Sequence, residues 1–352
     1  MGVGENAYTD KIMKVLILGG TKFFGRHCAE IALKQGYQIT LFNRGQTNNS
    51  LYPNVEKLVG DRIKGDLVAL QGRKWDVVID TAGYFPNLPD LVRETAELLK
   101  DAVSNYVFIS TISVYTEFQA NGDETLPLYP INQELPQEMN AQAYGTLKAM
   151  AESVVQEVYG ERGLIVRPGL IVGPYDNTGR FTYWIRRIHQ GGEVLAPESP
   201  ELPVQYIDAR DLVQWIYQLV STRKMGIYNA VGPKYSLKLG DFLATCQQVT
   251  DSSAKFSWIP GEILESQGIE PWQELPLWLP PQMQNTFACL SNSKALANGL
   301  SFRPLAETIH DIWQWDQVEQ LEYASGLSRD KETAILQLLS NSISISPLLP
   351  TT

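Results

Sequence analysis

The chain has 352 residues, of which 44% are hydrophobic and 19% charged, a balance typical of a folded protein with a sizeable core. Because Lys and Arg number 29 and Asp and Glu 39, the net charge of −10 weighs against binding to a nucleic acid backbone. We find no apolar run of the roughly 18 residues that a membrane span needs, so no membrane partner is expected. The first ten residues also lack the charged start and apolar stretch of a secretory signal.

Cysteine and histidine usage gives no sign of a metal site or a disulfide scaffold. The sequence contains three cysteines and three histidines: Cys28, Cys246, Cys289, His27, His189 and His310. Each is isolated from the others, and neither a CxxC nor an HExxH spacing occurs. We therefore expect no metal and a reducing, cytoplasmic location.

Strand and helix patterns alternate along the first half of the chain. Short apolar runs predict strands at Lys14–Leu18, 37–42, Val55–Val59, Trp75–Ile79, Tyr106–Ile109 and Leu164–Arg167. Helical spacing of apolar residues predicts helices at 24–35, Leu88–Lys100 and Ala141–Tyr159. Such alternation indicates an α/β fold, a Rossmann-type doubly wound parallel sheet with a smaller, irregular C-terminal substrate lobe.

The second half of the chain is less regular, with short helical patterns between Pro-rich and Trp-rich stretches. We predict a dinucleotide-binding domain at 13–170, a mainly substrate-binding lobe at 171–320, some of whose strands return to the sheet, and a C-terminal helix and tail at 321–352. In the lobe, Trp184 is expected in the core, and Arg186 and Arg187 are expected on a solvated helix face.

A glycine-containing turn lies between the first predicted strand and the first predicted helix. Its residues are Gly19, Gly20, Thr21, Lys22, Phe23, Phe24 and Gly25. A tight turn at this place lets the backbone approach a diphosphate, which the free amides and the positive dipole of a helix N-terminus attract. We interpret the seven residues as cofactor-binding, although an isolated glycine cluster is often only a turn.

The turn resembles that of the extended short-chain dehydrogenases/reductases, the NAD-dependent epimerase/dehydratase-like family. The family pattern GxxGxxG matches Gly19 and Gly25, whereas Lys22 replaces the middle glycine. This variant is similar to an atypical branch that includes chloroplast stem-loop-binding proteins and bacterial reductases. The replacement puts a side chain at a position where glycine is common, and a cation near the expected phosphate.

The end of the second predicted strand bears on the choice between NAD and NADP. An Asp or Glu about 20 residues after the turn would accept the ribose hydroxyls of NAD. Here Asn43 stands 18 residues after Gly25, and Arg44 follows it. A missing carboxylate and an adjacent guanidinium favour a 2′-phosphate, so NADP is preferred, unless Asn43 and Arg44 form only a polar turn.

Two further segments resemble the family's cofactor shell. Asp61 and Arg62 follow the third strand, where the family's Asp contacts the adenine. Thr81, Ala82 and Gly83 follow the fourth strand and match the small-residue loop beside the ribose. The resemblance implies that all five are cofactor-binding.

Tyr144 and Lys148 stand four residues apart, which places them on one face of the predicted helix. Hydride transfer to or from a carbonyl needs a group that exchanges a proton, and a nearby ammonium favours the phenolate of a tyrosine. No other Tyr in the chain has a Lys four residues later. We interpret Tyr144 and Lys148 as catalytic. The resemblance implies that both also bind the cofactor, with Lys148 holding the nicotinamide ribose.

The segment Ile109–Tyr115 resembles the family's S-S/T-x-x-V-Y pattern, with Thr111 at the position of the catalytic hydroxyl. A hydroxyl there can donate to the substrate oxygen and stabilise its developing charge. Ser110 and Ser113 are neighbouring alternatives. Family dehydratases carry an acidic pair after this hydroxyl; Ile112 and Ser113 stand there, which disfavours sugar dehydration.

The segment from Arg167 to Pro174 resembles the family's RPxxxxGP stretch, which implies that Pro168 and Gly169 lie beside the nicotinamide. In the following lobe, Arg180, Gln205 and Tyr206 are candidate substrate contacts.

Two functions remain open. The first is an NAD(P)-dependent oxidoreductase or epimerase that acts on a carbonyl or alcohol, with nucleotide sugars among the candidate small-molecule substrates. The alternative is a cofactor-binding RNA-binding or regulatory protein on the same fold, against which the net charge and the Tyr144/Lys148 pair both count. A homodimer also remains open.

Overall fold

The computed structural model describes residues 12–344 except Ala82, Tyr84, Gln133, Leu135 and Gln137. The described chain divides into two compact units. The first comprises residues up to Thr116 together with Pro127–Pro168 and Leu212–Tyr228; the second comprises Glu117–Leu126, Gly169–Asp211 and the residues from Asn229 onward. No helix in the described part of the chain is both long and apolar enough to span a membrane.

The first unit is built on a parallel sheet. Its strands are β1 (Lys14–Leu18), β2 (Gln38–Asn43), β3 (Glu56–Val59), β4 (Trp75–Asp80), β5 (Val103–Ile109) and β6 (Gly163–Pro168). Its helices are α1 (Phe23–Lys34), α2 (Leu88–Leu99) and α3 (Ala141–Tyr159). Every predicted strand and helix of this region is present, with ends shifted by three residues at most.

The remaining elements follow in chain order. The short strands are β7 (Ile171–Val172), β8 (Glu193–Pro197), β9 (Pro203–Val204), β10 (Ile207–Asp208), β11 (Gly226–Ala230), β12 (Leu237–Lys238) and β13 (Lys255–Ile259). The helices are α4 (Arg180–His189), α5 (Ala209–Ser221), α6 (Leu239–Val249), α7 (Gly261–Ser266), α8 (Pro281–Phe287), α9 (Ser293–Ala297), α10 (Leu305–Glu319) and α11 (Arg329–Ser344).

The large sheet has the strand order β11-β6-β5-β4-β1-β2-β3 within the described residues. Neighbouring strands from β6 to β3 pair in parallel, for example Leu16 with Thr40 and with Val78. The order reverses direction at β1, so the carboxyl ends of β1 and β4 flank a topological switch point, where α/β sheets bind ligands. This architecture confirms the predicted Rossmann-type α/β fold.

The core of the first unit explains why these segments form strands. The middle residues of β1 and β4 are fully buried, as expected of a parallel sheet covered on both faces. On one face α2 and α3 pack together. On α5, Tyr217 donates a hydrogen bond of 2.9 Å to the carbonyl of Cys28 on α1. Each large apolar side chain buried in this way contributes about 1.5–3 kcal/mol.

The second unit has its own core, in which Trp184 and Phe242 are buried, so the core prediction for Trp184 is confirmed. The predicted solvated face at Arg186 and Arg187 is wrong. Arg187 is buried and forms an ion pair of 2.6 Å with Glu332 on α11, and Arg186 pairs with Asp316 on α10. The acidic partners lie 130 or more residues later, so a basic pair read locally gave no sign of them.

Candidate functional site

The glycine turn connects β1 to α1, and in it the backbone at Gly25 lies very close to the backbone at Gly20. Gly19 and Gly20 have φ values of 120° and 93°, a backbone conformation that residues other than glycine rarely adopt. A Cβ atom on Gly25 would lie 2.7 Å from the amide nitrogen of Gly20. On Gly19 it would lie 2.7 Å from Oγ1 of Thr81, which donates to the carbonyl of Leu18. The backbone geometry therefore requires glycine at these three positions.

Lys22 directly precedes α1, in an ordinary extended conformation with φ −128° and ψ 147°. The replacement of the family's middle glycine therefore introduces no backbone strain at position 22 itself; the positive φ value, 24°, belongs to the next residue, Phe23. Its side chain makes no capping hydrogen bond, and the first helical bond runs from the amide of Arg26 to the carbonyl of Lys22. The amides of the first turn of α1 thus have no helical acceptor, which is the arrangement that binds anions.

A cavity of about 300 Å³ lies at this turn, within the first unit. Ten of the predicted cofactor residues line it: Gly19, Gly20, Thr21, Lys22, Asn43, Arg44, Asp61, Arg62, Thr81 and Gly83. Seven others do not line it: Phe23, Phe24, Gly25, Tyr144, Lys148, Pro168 and Gly169. Ala82 lies outside the described residues. The two phenylalanines and Gly25 form the first turn of α1, where their backbone amides have no helical acceptor and can bind an anion.

The end of β2 forms the side of the cavity that the sequence linked to NADP. The side-chain amide of Asn43 donates to the carbonyl of Gly19 at 3.2 Å, and its oxygen accepts from the amide of Gly45 at 2.8 Å. Asn43 thus links the glycine turn at Gly19 to the loop that follows β2 at Gly45. Arg44 is exposed and forms no ion pair in the described part of the chain. It is therefore available to an anion.

Arg62 is held differently from Arg44. Its guanidinium pairs with both oxygens of the buried Asp80, at 2.8 and 3.0 Å, and donates to Oγ1 of Thr95 at 3.1 Å. The hydroxyl of Tyr106 donates to the same carboxylate at 2.5 Å, and burial, together with that carboxylate, holds the pKa of Tyr106 well above its usual value. Arg62 therefore presents a fixed and largely neutralised guanidinium to the cavity.

Lys148 lies in the middle of α3 with only 2% of its surface exposed. Its ammonium donates a hydrogen bond of 2.7 Å to the carbonyl of Ile109, the last residue of β5. It also lies 5.9 Å from the centre of the Tyr144 ring, which confirms that the two side chains share a face. Burial lowers the pKa of Lys148 to about 8. The amine therefore remains mostly charged at neutral pH.

Thr111 follows β5 and begins a short 3₁₀ turn. Its Oγ1 accepts from the amide of Ser113 at 3.1 Å and lies 3.2 Å from the Ser113 hydroxyl. Gly145 lets α3 lie against this turn, because a Cβ atom there would collide with the carbonyl oxygen of Ser113. The helix that carries Tyr144 and Lys148 is thus packed directly against the loop that carries Thr111.

The other predicted residues lie elsewhere. Pro168 ends β6 in the first unit, whereas Gly169 belongs to the second, where its amide donates to the carbonyl of Ala230 at 3.4 Å. Arg180 begins α4 in the second unit, and its Nε is buried without a hydrogen-bond partner among the described residues.

Gln205 and Tyr206 also belong to the second unit and make structural contacts there. Gln205 exchanges two hydrogen bonds with the backbone of Leu290, at 2.9 and 3.1 Å. Tyr206 is buried, and its ring centre lies 5.3 Å from that of Phe181. Their role as substrate contacts stays a prediction.

Sequence reasoning missed several residues of the cavity wall. They are Leu18, Phe42, Gln46, Thr47, Gly60, Ile63, Phe85 and Leu91. Gln46 and Thr47 follow Arg44 closely, so their position after β2 was a usable signal. Leu91 lies on α2 and carries no local signal, since only the packing of that helix brings it to the cavity.

Comparisons with known proteins agree with this architecture. The family model described as "NAD dependent epimerase/dehydratase family" matches residues 15–230. The chain is 26% identical over 239 residues to the chloroplast stem-loop binding protein of 41 kDa b of Arabidopsis thaliana, covering 63% of this chain and 59% of that protein. It is 26% identical over 199 residues to a 3-beta-hydroxysteroid dehydrogenase of Mycolicibacterium neoaurum, covering 50% of this chain and 52% of that protein.

Solved structures share the fold. The crystal structure of the Bordetella bronchiseptica enzyme WbmH in complex with NAD+ matches with a TM-score of 0.67 at 18% identity, covering 88% of this chain and all of that one (100%). The family model covers well over half of the sequence and includes the glycine turn, Thr111, Tyr144 and Lys148. The chain belongs to the NAD-dependent epimerase/dehydratase family.

Proposed function

We propose that the chain is an NADP-preferring oxidoreductase or epimerase that transfers a hydride to or from a carbonyl or alcohol, with nucleotide sugars as the first substrate class to test. The observation that carries the proposal is the placement of Lys148. A buried ammonium shares a helix face with Tyr144 and binds the strand end next to Thr111. A cation at this depth is costly to bury, so a functional use is the best account of it.

The residues present fit a dinucleotide. Gly19 and Gly25 lack a Cβ atom that would collide with Thr81 and with the backbone of Gly20, so the turn can fold tightly against the start of α1, whose first amides are free to bind a diphosphate. Lys22 and Arg44 add positive charge to the cavity wall, and Asp61 is the single carboxylate among the described residues that line it. When bound, the nicotinamide cofactor supplies or accepts the hydride.

The side chains of the first unit have distinct roles in this proposal. Tyr144 gives or takes the proton of the substrate oxygen, and the Lys148 ammonium favours the phenolate form that accepts it. The Thr111 hydroxyl donates to the same oxygen and stabilises its charge. Gly145 permits these groups to approach each other.

The preference for NADP rests on the end of β2. A carboxylate at position 43 would accept ribose hydroxyls, but Asn43 is engaged with the glycine turn instead. Arg44 has no anionic partner in the described residues, and a guanidinium binds a phosphate through paired charge-assisted hydrogen bonds. Arg62 is excluded from this role because Asp80 already neutralises it.

The substrate class draws on the relatives. UDP-arabinose 4-epimerase 1 of Arabidopsis thaliana is 24% identical over 300 residues. Like the steroid enzyme, it is named for chemistry at a secondary alcohol. We therefore propose a small molecule with a ring alcohol or ketone as the substrate.

A Tyr144→Phe variant tests the proposal. The wild type is first screened with NADPH or NADP+ against nucleotide sugars, hydroxysteroids and simple ketones, by the change in nicotinamide absorbance. With the substrate found, Tyr144→Phe should abolish turnover and leave the affinity for NADP+ within about twofold. Tyr37→Phe, in a half-buried tyrosine that packs on Tyr217, is the matched control and should remain active. Full activity of Tyr144→Phe would refute the assignment.

A further inference from the structure

A buried ion pair lies one helical turn beyond Lys148. Glu152 on α3 and Arg167 on β6 are 2% and 1% exposed. The guanidinium Nε lies 3.0 and 3.2 Å from the two carboxylate oxygens, and one terminal nitrogen lies 2.6 Å from Oε2. Burying two charges is expensive even when they are paired, so stability alone is a weak reason for this pair.

The contacts of the pair converge on the end of β5 and the loop that follows. Ser110, the residue before Thr111, donates its hydroxyl to Oε1 of Glu152 at 2.5 Å. The other terminal nitrogen of Arg167 donates to the hydroxyl of Tyr115 at 3.0 Å, on the far side of the 3₁₀ turn. The segment that carries Thr111 is therefore held on both sides by one pair of charges.

The helix α3 is hydrogen-bonded to the end of β5 at two positions. Lys148 binds the carbonyl of Ile109, and Glu152, four residues later, binds the hydroxyl of Ser110. Tyr144 lies one turn before Lys148 on the same face. These two contacts, with the consecutive residues Ile109 and Ser110, fix both the position of α3 along its axis and its rotation relative to Thr111.

We propose that the Glu152–Arg167 pair is a positioning device that keeps Thr111, Tyr144 and Lys148 in register by tying the end of β5 to α3. This inference rests on the proposed function, because the register matters only if those three side chains act together. Neither Glu152 nor Arg167 lines the cavity, so in this proposal both act through the residues they hold.

The pair also shapes the charge felt by Lys148. The charged groups that influence it are Asp80 on β4, Glu152 on α3 and Arg62 after β3; Tyr144 is the titratable neighbour on its own helix. The carboxylates of Asp80 and Glu152 raise the pKa of the amine against the effect of burial, and Arg62 lowers it. Neutralising Glu152 should therefore make Lys148 lose its proton at a lower pH.

The first measurement compares the affinities of NADP+ and of 2′,5′-ADP, which carries the adenine half alone. Glu152→Gln should weaken NADP+ binding by about tenfold, as expected when one charge-assisted contact on the nicotinamide side is lost, and leave 2′,5′-ADP unchanged. The matched control is Glu332→Gln, the same change in the similarly buried Arg187–Glu332 pair, which should alter neither affinity. Equal weakening of both ligands, or of neither, would overturn the proposal.

Two further variants and a second readout keep the inference separable from the proposed function. If Glu152→Gln does not fold, Ser110→Ala removes only the tie to β5 and should give the same selective loss. The titration of Lys148 by NMR of ¹³C-labelled lysine, assigned through Lys148→Arg, needs no cofactor. Its midpoint should fall in Glu152→Gln and stay in Glu332→Gln; an unchanged midpoint in Glu152→Gln would overturn the proposal. A wild type that does not bind NADP+ refutes the proposed function, and the titration then still decides whether Glu152 acts on Lys148.

Discussion

Replacing Lys148 with methionine tests the electrostatic cost of burying an amine at the site. The pKa of Lys148 falls from 10.5 to about 8 because burial removes the ammonium from water. One unit of pKa corresponds to about 1.4 kcal/mol, so the charged amine destabilises the fold by about 3 kcal/mol at pH 7. A methionine side chain has a similar length and carries no charge, so this cost is absent from the Lys148→Met variant.

The sign of the pH dependence follows from proton linkage. Between pH 8 and 10.5 the unfolded chain holds more protons at Lys148 than the folded chain, so stability rises with pH in this window. At pH 9.5 the remaining cost is about 1 kcal/mol, which means that the wild type gains about 2 kcal/mol relative to Lys148→Met between pH 7 and pH 9.5.

The assay is urea unfolding of both proteins at pH 7, 8.5 and 9.5, with the difference in unfolding free energy taken at each pH. Titrations shared by both proteins cancel in that difference. Lys74→Met, the same change at an exposed lysine, is the control and should give a difference that does not vary with pH. If the unfolding free energy of the wild type minus that of Lys148→Met stays constant, or falls as the pH rises, the reasoning about Lys148 is refuted.

Three further outcomes follow from the site. In calorimetry the wild type should bind NADP+ at least about tenfold more tightly than NAD+. Arg44→Ala should remove this difference in affinity. The control Arg73→Ala, which changes an arginine outside the cavity, should keep it. Gly145→Ala should lower the free energy of unfolding by about 1–3 kcal/mol, because its Cβ meets the carbonyl of Ser113; a stability equal to wild type would contradict the packing. RNA hairpins should show no salt-sensitive binding at low ionic strength in a mobility-shift assay, and binding that weakens steeply with salt would favour the RNA-binding alternative.

Much of the fold was accessible from the sequence because its signals are local. A run such as Lys14–Leu18 is apolar throughout after its first residue and is followed directly by glycine, which predicts a buried parallel strand without knowledge of its neighbours. The helical spacing of apolar residues predicts the helix Ala141–Tyr159 with its observed ends. In the structure Asn140 caps its N-terminus by accepting a hydrogen bond from the amide of Ala143. The alternation of the two element types then indicates a parallel sheet covered by helices on both faces.

What the sequence did not reveal depends on partners far away in the chain. Gly145 has no local role, and its importance comes from Ser113, which lies 32 residues earlier. Arg62 and Asp80 belong to two separate motifs, and only the fold joins them into an ion pair. Arg187 was misread because its partner Glu332 lies 145 residues later. In each case the residues nearby in the sequence gave no sign of the contact that decides the role of the side chain, because that contact joins distant parts of the chain.

A crystal structure of the chain with NADP+ would test the central claim most directly. The account predicts the diphosphate against the first amides of α1, the 2′-phosphate on Arg44, and the nicotinamide ribose on the Lys148 ammonium with Tyr144 beside the ring. A diphosphate bound away from the turn at Gly19–Gly25, or a nicotinamide out of reach of Tyr144 and Lys148, would contradict it.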